Sequence, residues 1–141
     1  MPSLRDRLRE LGRELATREA EHKNALDEAR RKAVSLRAEV AEALEGWREA
    51  VTAAGAPQLA VAVGEVRPDD KHVRAVEFDL TRGRHRAVIT VKARGDVTLV
   101  GPFHAGKVEG PCKSFPFAAE DEIRNALGDF LTRFLTDAAT P

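Results

Sequence analysis

Between His72 and Arg94 the chain runs HVRAVEFDLTRGRHRAVITVKAR. Apolar and polar residues alternate on both sides of Arg82-Gly83. A period of two is the mark of half-buried strands, and a Gly-containing break between them is the mark of a tight hairpin. The reading is two antiparallel strands, His72–Leu80 and Arg84–Ala93, joined by a two-residue turn at Arg82-Gly83. That turn pairs Leu80 with His85, Phe78 with Ala87 and Val76 with Ile89 on an apolar face. Asp79 then faces Arg86, and Glu77 faces Val88, on a polar one.

Downstream, Arg94-Gly95-Asp96 reads as a turn and Val97–Val100 as a further strand. Three Pro and three Gly between Gly101 and Pro116 read as loop, with room for a short edge strand. Glu120-Asp121-Glu122 opens a last helix, where acids suit the N-terminal dipole. Ile123, Leu127, Phe130, Leu131, Phe134 and Leu135 give that helix a wide apolar stripe. Upstream, Leu59, Val61 and Val63 alternate with small residues as a first strand. Arg67-Pro68-Asp69-Asp70-Lys71 reads as a turn.

Before Gly55-Ala56-Pro57 the character changes. Residues 3–53 hold no Pro and are rich in Ala, Leu, Arg and Glu, all strong helix formers. Ser3 is the expected cap, and Gly55 with Pro57 the expected stop. Leu4, Leu8, Leu11 and Leu15 follow steps of four, three and four, the spacing of a coiled-coil seam. A second series runs Leu26, Ala29, Ala33, Leu36, Val40, Ala43, Trp47. Arg18 and His22 bridge the two series with one extra step of four, a stutter. With no Gly or Pro near residues 20–25, one long helix is favoured over a hairpin. Glu14–Arg18, Glu19–Lys23, Asp27–Arg31 and Glu28–Lys32 lie four apart and support a solvated helix.

The expected fold is therefore α+β. It has a long N-terminal coiled-coil helix (1–54), then a unit over 57–141. That unit is a four-stranded antiparallel meander with a C-terminal amphipathic helix packed on the sheet. The chain has 141 residues, a formal net charge of zero and 43% apolar residues, which excludes a disordered tail. A single Cys excludes an internal disulfide and a Cys-based zinc site. No apolar run is long enough to span a membrane. The charged N-terminus lacks a signal core, so the expected location is cytoplasmic.

Candidate chemistry is sparse. Gly101-Pro102-Phe103-His104-Ala105-Gly106-Lys107-Val108 nearly matches a phosphate loop. Val108 replaces the needed hydroxyl, Pro102 removes an amide and Pro111 blocks the following helix. Cys112 beside Lys113, with His104 as a base, is the candidate nucleophile. His22, His72, His85 and His104 are dispersed and form no metal-ligand pair, so no metal or cofactor is expected. His22, on the weak part of the seam, is a candidate for pH-dependent pairing. Arg84, Arg86, Lys92 and Arg94 make a basic face suited to an acidic partner, but no aromatic residues interleave to stack bases.

These features point to a non-catalytic interaction or adaptor protein. It would assemble as a homodimer, or on a partner helix, through Leu4, Leu8, Leu11, Leu15, Leu26, Leu36, Val40 and Trp47. One alternative is a dimeric nucleic-acid binder using the basic face. Another is a small-ligand or enzymatic domain around residues 101–113.

Overall fold

The computed structural model describes residues 1–69, 74–106 and 111–140. His72, Lys107, Val108 and the end of the turn at Asp70-Lys71 lie outside the described residues. A first helix, α1, runs unbroken over Leu4–Ala53, so the long-helix reading holds and the hairpin does not. Ser3 caps it, its hydroxyl accepting the Asp6 N–H at 3.1 Å. At the other end Gly55 turns to φ 81, a conformation that favours glycine. The Ala56 N–H then reaches back to the Val51 carbonyl and the Gly55 N–H to that of Thr52, which closes the helix in a Schellman motif.

After a 3-10 turn at Pro57–Leu59 come β1 (Ala62–Val63), β2 (Arg67–Pro68), β3 (Ala75–Arg82), β4 (His85–Lys92), β5 (Asp96–His104) and β6 (Cys112–Pro116). A second helix, α2, spans Glu120–Ala139. The class is α+β as expected, but the described residues form six strands where the sequence reading has four. The sheet order is β1-β3-β4-β5-β6, all neighbours antiparallel, with β2 on the same edge of β3 as β1.

Each difference has a local cause. The expected first strand shortens to Ala62–Val63 because Pro57 starts a turn, and Trp47 Nε1 takes the Leu59 carbonyl at 2.8 Å. Arg67-Pro68, expected as turn, adds a two-residue ladder to β3. β5 continues past Pro102 to His104 because the ladder bulges there. Arg86 opposes Phe103 and Val88 opposes Val100, which leaves one extra residue on β5. Gly101 sits in the bulge at φ 119, and a Cβ there would come within 3.1 Å of the Ala87 backbone.

The hairpin register also differs. Its turn is Gly83-Arg84, and the pairs are Arg82–His85, Leu80–Ala87, Phe78–Ile89 and Val76–Val91. A turn at Arg82-Gly83 would put Arg82 at the first central position. A type II′ turn asks that position for positive φ, which Gly83 supplies at φ 57. The turn moves by one residue and the partners by two, so each side chain keeps its expected face.

Val76, Phe78, Leu80, Ala87, Ile89, Val91, Val97 and Leu99 share one core with both helices. The helices thus lie on the same side of the sheet, in two layers. α1 covers β3 and β4 with Ala29, Ala33, Leu36, Val40 and Leu44. α2 covers β4 and β5 with Ile123, Leu127, Phe130 and Phe134. Ala29 and Ala33 are fully buried, so the backbone of α1 sits close to the sheet. The core is continuous across the Gly55–Pro57 break. Leu36 and Val40, assigned from sequence to an oligomer interface with folding of the helix onto its own sheet left open, are core residues of their own chain.

Candidate functional site

The helix α1 is longer than the sheet it covers. From Leu26 onward its apolar stripe rests on the core. From Leu4 to Glu21 every residue is exposed. Of these, the 15 residues Leu4–Arg18 precede the first ion pair to the head and form a free arm of roughly 22 Å at 1.5 Å per residue. Leu4, Leu8, Leu11 and Leu15 retain 71%, 58%, 46% and 49% of their surface. Leu15 and Leu26 are 11 residues apart, close to three helical turns, so the free leucines and the core stripe share one face. The arm is helical through the propensity of its residues and local ion pairs. These include Glu10–Arg13 at 3.3 Å and Glu14–Arg18 at 3.1 Å.

The head begins where Arg74 meets Glu19 at 3.7 Å. Beside this contact His22 keeps a buried Nδ1 with no hydrogen-bond partner, 3.9 Å from the Glu19 carboxylate. The sequence-predicted seam therefore divides. Leu4, Leu8, Leu11 and Leu15 are free, Leu26 packs partly against the core, and Leu36 and Val40 are buried in it. Trp47 is half-buried and holds the 3-10 turn through its indole N–H.

The predicted basic face is spread along β4 and its two flanking turns, and two of its four residues, Arg86 and Arg94, are in ion pairs. Arg84 lies in the turn before β4 and Arg94 in the turn after β5's predecessor, some ten residues on, roughly 30 Å along an extended strand. Arg94 pairs with Asp96, and Lys92 stands opposite Asp96 in the ladder. Arg86 does pair with Asp79 as expected, at 3.2 Å, but diagonally, because the register differs. Arg67, which the sequence reading leaves in a turn, joins them at 3.3 Å from Asp79 and 3.4 Å from Glu77. Its only sequence signal is a position opposite two strand carboxylates, which needs the register first.

This cluster sits on the sheet face turned away from the helices. Burial opposes ionisation of Asp79, but hydrogen bonds and charge from Arg67 and Arg86 outweigh it and hold its carboxyl below the ordinary range. Glu77 goes the other way. Burial pushes its carboxyl up, and the negative charge of Asp69 adds to this against the pull of Arg67 and Arg86.

A cleft of about 570 Å³ opens between β6 and α2, since α2 packs over β4 and β5. Leu99, Phe115 and Phe130 floor it, and Lys113, Asp129 and Arg133 rim it with mixed charge. Cys112 lines this cleft and is exposed. It lies opposite Val100, four residues along β5 from His104, so roughly 13 Å of extended strand separates thiol and imidazole. His104 instead meets His85 edge to face, with ring centroids 4.9 Å apart. The Cys–His pair of the sequence reading is not brought together, and Gly101–His104 is strand rather than phosphate loop. Among the described residues no group of three or more His, Cys, Asp or Glu is placed to hold a metal ion. No helix among them is long and apolar enough to cross a membrane.

No protein-family model matches the chain, no curated protein matches its sequence, and no solved structure matches it.

Proposed function

We propose that this chain is a non-catalytic interaction protein whose docking element is the free arm of α1 and whose body is the two-layer head. One observation carries the reading. Four leucines at coiled-coil spacing stay exposed on an arm that its own head anchors and orients. Helix propensity alone would be served as well by Ala or Arg and does not call for leucine at four successive seam positions, whereas a helix partner would bury all four at once. The arm is already helical, so binding does not have to nucleate it. Among the described residues the competing chemistry is weaker, since Arg67, Arg86 and Arg94 are paired with carboxylates and His104 is not brought to Cys112.

The test is a photo-crosslinking side chain at Leu8 or Leu11 of the full chain, with Glu39 on the head as control. Adducts from the arm positions and none from Glu39 support the reading. Adducts no more frequent at the arm than at Glu39 overturn it.

A further inference from the structure

We infer that the partner of the arm is a second copy of this chain, bound antiparallel so that residue i faces residue 19 − i. This rests on the arm being the docking element, and three observations select it.

The first is steric. The free leucines and the core stripe lie on one face of one unbroken helix, so the sheet of the head occupies that face beyond Glu19. A parallel partner laid along Leu4–Leu15 would run on into the sheet. The helix of an antiparallel partner stops at its Ser3 cap, before the sheet.

The second is fit. Antiparallel helices stack the residue opening one half-heptad on the residue closing the other. Leu4 then faces Leu15 of the second copy and Leu8 faces Leu11. By the two-fold the same pairs recur, which gives four leucine layers. The Ser3 cap, where the helix of one copy begins, comes opposite Ala16 of the other, short of the Arg74–Glu19 contact, so the helical overlap fills the arm and stops at the head.

The third is charge. Beside the seam, this register sets Arg7 of each copy near Glu14 of the other, two attractive pairs across the interface. A parallel pair would set Glu14 near Glu19 of the second copy twice, which is repulsive.

The test uses the full chain in a Cys112→Ser background. Leu8→Cys and Leu11→Cys variants are mixed in equal amounts in a thiol redox buffer. The expected result is a Leu8→Cys/Leu11→Cys mixed disulfide well above its statistical half share. Dominance of the two homodisulfides means parallel pairing and overturns the inference. Light scattering over a dilution series adds a second readout. Glu14→Arg is expected to weaken the dimer about tenfold, and Arg7→Glu in the same chain to restore it. Strengthening by Glu14→Arg alone would again mean parallel pairing. A monomer at every concentration overturns self-pairing. Arm adducts to a different protein in the crosslinking experiment would then leave the docking role of the arm standing.

Discussion

Arg37 Nε donates a hydrogen bond to the Gly64 carbonyl at 2.8 Å, which ties the middle of α1 to the break between β1 and β2. Its guanidinium also reaches the Val63 carbonyl at 3.4 Å and the Glu65 carboxylate at 3.1 Å. An edge interrupted after two residues has few ladder bonds of its own, and this side chain supplies the missing donors. Arg37→Ala is expected to destabilise the chain by about 1–3 kcal/mol, the cost of leaving a part-buried carbonyl without a partner. Urea unfolding measures it. A loss no larger than that of an exposed Arg31→Ala control would show that the edge is held otherwise.

Gly64 has a second reason to be glycine. A Cβ there would lie 2.0 Å from Asp79 Oδ1. Asp79 cannot simply turn away, because Arg67 and Arg86 hold it. Gly64→Ala should therefore cost more in the wild-type chain than in an Asp79→Ala chain. A double-mutant cycle reads the difference, expected at about 1 kcal/mol or more for residues in direct contact.

The two carboxylates of β3 should give opposite pH responses. Asp79 ionises more readily folded than unfolded, so its stabilisation is present above its ordinary value of 3.8 and is lost as pH falls through the lower folded value. Glu77 ionises less readily when folded, so its contribution is present below 4.5 and is lost as pH rises through the higher folded value. Asp79→Asn should thus weaken the protein at neutral pH and converge on wild type in acid. Glu77→Gln should match wild type in acid and exceed it at neutral pH. Unfolding curves from pH 3 to 7 check both, and parallel profiles for the two variants would contradict the assignment.

The two halves of the α1 seam should respond differently to truncation. Leu36→Ala empties part of a packed core and should cost about 2–4 kcal/mol. Leu8→Ala removes an exposed side chain and should change the unfolding free energy of the dilute chain by no more than about 0.5 kcal/mol. Chemical denaturation at low protein concentration separates them. Comparable losses would mean that the arm packs on the head.

Much of this architecture is legible in the residues. The absence of Pro from residues 3–53, and of Gly near residues 20–25, foretells the unbroken α1, and the alternation after Ala75 foretells the central hairpin and its faces. The register is not legible in the same way. Arg82-Gly83 and Gly83-Arg84 are equally short turns, and only the demand for positive φ at the first central residue separates them. Pro102 reads as a strand breaker because the bulge that excuses it depends on a neighbouring strand. The seam is ambiguous for a deeper reason: its spacing suits a helix and a sheet alike. What does distinguish its halves is side-chain size. Ala29 and Ala33 admit a close sheet, whereas Leu4–Leu15 is leucine throughout. Arg37 and Arg67 carry no local signal, since their partners lie in other strands.

One unbroken helix bearing both the core stripe and the free leucines also links them in rotational phase. Inserting one residue between Leu15 and Leu26 would leave arm and head folded yet swing the leucines about 100° around the axis, away from the side on which the head lies. Seven residues would lengthen the arm by about 10 Å and bring the leucines back to within about 20° of their original bearing. The span of the arm can therefore vary only in such strides without changing the direction in which it presents its partner.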